Sequence, residues 1–103
     1  MVSILYVTVG SIEESRKIAH VLVEEKLVAC VHIIPKIESV YRWKGKIESG
    51  NESALLVKTT EKLVERVIQR IRSLHSYDVP EILVLPPVGG LKEYLDYVQD
   101  ETV

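Results

Sequence analysis

The chain has 103 residues, 47% of them apolar, 27% charged, with five Gly, four Pro and a single Cys. That length suits one domain, 1–103, and a folded chain of this size buries roughly 65% of the surface its unfolded form exposes, enough for a modest core. Cys30 alone cannot form an intrachain disulfide, so a disulfide-stapled scaffold and a four-cysteine zinc module are both excluded. Thirteen Lys and Arg against fifteen Asp and Glu give a formal charge of -2 with the basic residues dispersed, which gives nucleic acid no support. No run of about 18 apolar residues predicts a membrane span, and the first residues lack a signal-peptide pattern, so the expected compartment is the cytoplasm. Phe is absent, and five Tyr and one Trp supply the aromatics, the types with a polar end suited to wet boundaries.

Residues 2–9, VSILYVTV, are β-branched and apolar on both alternating faces, which predicts a strand in the middle of a covered sheet. Gly10-Ser11 ends it, and Ser11-Ile12-Glu13-Glu14 fits a capping box opening a helix that runs to about Lys26, with Ile18, Ala19 and Leu22 on its apolar stripe. Leu27 to Trp43 reads as extended, with Pro35 marking a bulge or an edge because proline lacks the ladder N–H. Lys44-Gly45 predicts a two-residue hairpin turn, and Lys46 to Thr59 the returning strand, polar near the turn and apolar at Ala54–Val57. Thr60 suits a helix N-cap, and Leu63, Val64, Val67, Ile68, Ile71 and Leu74 predict a helix closing at His75. Residues 81–85, EILVL, form a short strand, and Leu91, Tyr94, Leu95 and Val98 mark a last amphipathic helix.

The order is βαβ, hairpin, βαβ, helix. Right-handed crossovers then give an α+β, ferredoxin-like split βαβ sandwich with a long central hairpin and an extra C-terminal helix. Consecutive apolar residues in the strands leave a second sheet face that needs a partner, and the long hairpin has open edges. Both predict self-association.

Candidate chemistry is sparse. Cys30 and His32 lie two apart on a strand, so they share a face, and a thiolate with an imidazole suits copper or zinc. The same residues also read as a small buried hydrophobe and a hydrogen-bonded strand histidine. His75 reads equally as a ligand or as an exposed imidazole favoured by the helix dipole. Tyr41, Trp43, Lys58, Tyr77 and Glu81 are polar or amphipathic groups that could meet in a pocket at a subunit boundary, or serve as packing and a surface ion pair. No hydrolase, zincin or phosphate-loop motif is present, and the chain is expected not to be an enzyme.

The segments A-C-V-H at 29–32, S-V-Y-R-W-K-G-K-I-E at 39–48, L-L-V-K-T at 55–59 and H-S-Y-D-V-P-E-I-L at 75–83 resemble the CutA divalent-cation-tolerance family over essentially the whole chain. The resemblance implies a cytoplasmic homotrimer whose hairpin, 37–58, joins sheets between subunits, with a link to copper and other divalent ions. By matching motifs, Cys30 and His75 fall on the family's cysteine and histidine, and Trp43, Lys58, Tyr77, Pro80 and Glu81 on family positions. His32 stands where the family usually has Asn, and Ser76 where Pro is usual. The resemblance therefore implies copper or another divalent ion held weakly by Cys30, His32 or His75, with no cofactor required for folding. The alternatives are a PII-like regulatory trimer holding an anionic metabolite in the pocket around Trp43, Lys58, Tyr77 and Glu81, and a structural trimer supporting a partner protein.

Overall fold

Strand β1 (Val2–Val9) lies inside the sheet, as its two apolar faces require, paired antiparallel to a neighbour on each side. The computed structural model describes residues 1–87 and 89–103. After β1 come α1 (Ile12–Glu24), β2 (Cys30–Trp43), β3 (Lys46–Thr60), a 3-10 turn (Glu61–Leu63), α2 (Val64–Leu74), β4 (Ile82–Leu85) and α3 (Lys92–Asp100). The sheet order is β2-β3-β1-β4 with every neighbouring pair antiparallel, so β1 and β2 run parallel across β3, as do β3 and β4 across β1. This is the split βαβ topology with a C-terminal helix added.

Register assigns the two faces. Leu5 lies opposite Val57, and Val7 opposite Leu55. All four are fully buried, in one core with Ile18 and Leu22 of α1 and Val67 and Ile71 of α2. The alternate positions, Ile4, Tyr6, Leu56, Lys58, Cys30 and His32, form the second face. Helix α3 covers one end of it, where Val98 packs on Val2 and Ala29. Beyond α3 this face stays open, with Leu83 and Leu85 of the edge strand about half exposed.

Strands β2 and β3 outrun the body. Their distal halves form an arm on which Val40 and Ile47 are each 70% exposed. The radius of gyration, 14.1 Å, exceeds the roughly 13 Å of a globular domain this long, and the longest dimension is 44 Å. Pro35 sits at a bulge as expected: the pairing skips from Ile34–Ala54 to Ile37–Glu52. Lys44 (φ 51°) and Gly45 (φ 80°) make the turn, both left-handed, the pattern of a type I′ hairpin.

Three local expectations are corrected. Strand β2 begins at Cys30, because Leu27, Val28 and Ala29 are apolar as buried connection rather than as strand, and the Thr59 hydroxyl donates to the Leu27 carbonyl at 2.6 Å. Thr60 stands at the expected N-cap position, but of a 3-10 turn, and its hydroxyl makes no cap bond: its backbone still pairs with Val2 in the sheet, and α2 starts only at Val64. The capping box at Ser11 is half formed. Ser11 accepts from the Glu14 N–H at 3.1 Å, whereas the Glu14 carboxylate turns to Ser76.

Candidate functional site

A groove of about 720 Å³ opens where the arm leaves the body. Its floor is Tyr6 and Thr8 of β1, one wall is the arm with Glu38, Tyr41, Trp43 and Glu52, and the other is the segment after α2 with Tyr77, Asp78 and Glu81. The lining combines four aromatic rings with four carboxylates. Among the described residues it contains no Lys, Arg or His, so a cation suits it better than an anion.

The wall at Tyr77 is set by His75, which caps α2 in an extended conformation. The side chain of His75 is fully buried. Its Nε2 lies 2.8 Å from the Thr8 carbonyl, which can only accept, so Nε2 carries the proton. Nδ1 then accepts from the Tyr77 N–H at 3.1 Å. The imidazole is thus the neutral Nε2–H tautomer, and the Glu14 carboxylate 3.6 Å from Nδ1 is a neighbour rather than an ion-pair partner. Tyr77 leans on the His75 ring at a centroid distance of 4.7 Å and passes over Gly10, where an added Cβ would lie 3.1 Å from its hydroxyl. That hydroxyl donates to Glu52 Oε2 at 2.8 Å, tying the wall to the arm. Burial, and then the adjacent Glu52 carboxylate, hold the Tyr77 phenol well above the usual tyrosine range.

A second cluster lies on the open sheet face. Cys30 is opposite Lys58 in the ladder and His32 is diagonal to it. The Lys58 ammonium donates to His32 Nδ1 at 2.6 Å. The Cys30 sulfur shares a hydrogen bond with the Tyr94 hydroxyl of α3 at 3.3 Å. That bond, and then burial, push the Tyr94 phenol up to about 12. Among the described residues no three His, Cys, Asp or Glu side chains converge on a metal-sized position.

The expected pocket is therefore divided. Tyr41, Trp43, Tyr77 and Glu81 meet in the groove, but Lys58 does not: it shares the face of Tyr6 and Thr8 but lies further along the ladder, opposite Ile4 and Cys30 and away from the arm. The expectation of an anionic metabolite there loses its cation within one subunit. His75 also stands apart from Cys30 and His32: it is buried rather than exposed, and both ring nitrogens are engaged. Glu38, Glu52, Asp78 and Tyr6 escaped the sequence reading. The shared parity of Tyr6 and Thr8 with the open face is the available signal, whereas the meeting of arm and 77–81 segment is a tertiary contact, the Tyr77–Glu52 hydrogen bond, that no local pattern carries.

The fold and the groove define a class: a ferredoxin-like subunit with a protruding two-stranded arm and an acidic, aromatic cleft at its root. Residues 3–101 match the family described as CutA1 divalent ion tolerance protein. The chain is 45% identical over 102 residues to the divalent-cation tolerance protein CutA of Thermus thermophilus, with 99% of each chain covered. It is 44% identical over 99 residues to the chloroplastic protein CutA of Arabidopsis thaliana, covering 96% of this chain and spanning about half (54%) of that protein. The solved Thermus thermophilus structure superposes with a TM-score of 0.97 over 100% of both chains at 45% identity. A periplasmic divalent cation tolerance protein CutA from Archaeoglobus fulgidus superposes at 0.95, 40% identical, over 98% of each. The chain belongs to the CutA1 family.

Proposed function

We propose that the chain works as a homotrimer in divalent-cation tolerance, holding copper or a related ion weakly and catalysing no reaction. The role follows the names of its relatives. The observation that carries the assembly is the open sheet face, where Leu83 and Leu85 are 52% and 47% exposed beside an arm whose two edges pair with no other strand among the described residues. Cys30 and His32 share that face and supply one soft and one borderline ligand. An ion placed on them shares the corner with the Lys58 ammonium, which already occupies His32 Nδ1, and this opposition supports weak rather than tight binding. The cytoplasmic placement rests on the family resemblance, and relatives named as chloroplastic or periplasmic are at variance with it.

The test is light scattering of the purified protein together with copper titration calorimetry on wild type, Cys30→Ser and His32→Ala. A trimer whose weak copper binding is lost in both variants is expected. A monomer removes the assembly, and copper binding unchanged in both variants removes the ligand assignment.

The groove supports a second reading, a small-molecule-binding trimer of the PII type. Its size and its rings favour a ligand, and its carboxylates favour an organic cation over the anion expected from the sequence. A thermal-shift panel of ammonium and guanidinium compounds against carboxylates and phosphates decides it, since a ligand at 100 times its Kd stabilises by about 2.7 kcal/mol.

A further inference from the structure

Lys58 is nine-tenths buried, at 9% exposure, and among the described residues its ammonium bonds a ring nitrogen, His32 Nδ1, rather than a carboxylate. The ion pairs of the described residues join Arg70 with Glu25 and Lys92 with Asp96, and Glu14 approaches His75, so none of them supplies Lys58 with a carboxylate. An ammonium withdrawn from water without a counter-charge is strongly unfavourable. The groove has the opposite deficit: Glu38, Glu52, Asp78 and Glu81 line it, with no basic side chain among the described residues. The cation and the carboxylates lie along the same sheet face, since Ile4 is opposite Lys58 and Tyr6 and Thr8, further along β1, floor the groove.

We infer that a groove carboxylate of a second copy of this chain neutralises Lys58, so that the Lys58 corner of the sheet face of each copy docks on the groove of the next. This deepens the assembly reading and rests on it. The contact is head to tail, the kind that closes into a ring when the rotation allows. A second copy fits better than a small anion because the half-exposed Leu83 and Leu85 frame the face, and only a protein surface would cover them along with the charge. The arm-tip cations Arg42, Lys44 and Lys46 are exposed and hydrated, so they lack the same need for a partner.

The experiment uses the full chain. Sedimentation gives the oligomeric state, and subunit exchange between two fluorescently labelled pools gives the strength of the contact. Lys58→Met keeps the apolar bulk of the stem, and Glu38→Gln, Glu52→Gln, Asp78→Asn and Glu81→Gln each remove one groove charge. Lys58→Met and at least one carboxylate variant should each speed exchange ten-fold or more, and their double variant should exchange no faster than the faster single, the coupling expected of direct partners. Effects that add for all four carboxylates, no effect of Lys58→Met, or coupling to Arg42→Gln instead, overturn the inference while the assembly stands. A monomeric wild type overturns both. If Lys58→Met does not melt cooperatively, the same cycle on Lys58→Gln decides.

Discussion

The Glu14 carboxylate accepts two hydrogen bonds from Ser76, one from its backbone N–H at 2.9 Å and one from its hydroxyl at 2.8 Å, across 62 residues of sequence. Through this clamp the first turn of α1 fixes the segment that carries Tyr77 into the groove. Glu14→Ala should lower stability by about 1–2 kcal/mol, a charged acceptor of two bonds discounted for its partial exposure. Urea denaturation measures it, and an unchanged midpoint would show that the clamp carries nothing.

His75 joins the same segment to β1 from within. His75→Ala empties a buried site and leaves the Thr8 carbonyl and the Tyr77 N–H without their partner, a loss of roughly 2–4 kcal/mol. Its copper stoichiometry should match that of wild type, because neither ring nitrogen offers a free lone pair. Elemental analysis after copper loading and dialysis checks this, and a lost equivalent of metal would return His75 to the ligand set.

Tyr94 should make the fold alkali-sensitive. Its phenol is raised, by the Cys30 hydrogen bond first, from about 10 to about 12. Between those values the unfolded chain has released the proton and the folded chain retains it, so stability present below pH 10 falls as pH rises. Tyr94→Phe should flatten that slope in chemical denaturation between pH 9.5 and pH 11.5, whereas an equally steep slope in the variant would assign it to other groups.

Two left-handed residues offer stabilising changes. Lys26 (φ 59°) closes α1, with the Leu27 N–H donating to the Leu22 carbonyl and the Lys26 N–H to the Val23 carbonyl, a Schellman arrangement that favours glycine. Lys26→Gly should raise stability by up to about 1 kcal/mol. Lys44→Asn should raise the arm's hairpin propensity by a smaller amount, since Asn-Gly suits the type I′ turn. Thermal melts of the two variants test these values, and a lower midpoint in either would contradict the assignment.

Most of the fold was legible because the apolar periodicity and the turn residues agree locally: Leu5 and Val7 alternate with Tyr6, Pro35 bulges, and Lys44-Gly45 turns. What was misread is where tertiary context overrides local chemistry. Thr60 has a capping hydroxyl, but the sheet claims its backbone. Glu14 has capping-box spacing, but Ser76 offers two donors. Residue type groups Lys58 with Tyr41, Trp43, Tyr77 and Glu81, whereas its place in the ladder, opposite Ile4 and Cys30, sets it along the same face but away from them. The burial of His75 was equally hidden, since helix-end position and charge preference predict an exposed ring.

The bulge at Pro35 also divides each long strand into two thermodynamic environments. Toward Cys30 the ladder is backed by the helical core, so its amides open only with the whole domain. Beyond Ile37 an isolated subunit protects the arm by its own hairpin bonds alone, and a bare two-stranded ribbon is marginal in water. On the assembly proposed above, deuterium uptake between Ile37 and Glu52 becomes its gauge: rapid when the subunit is alone, slow if a neighbour covers the arm.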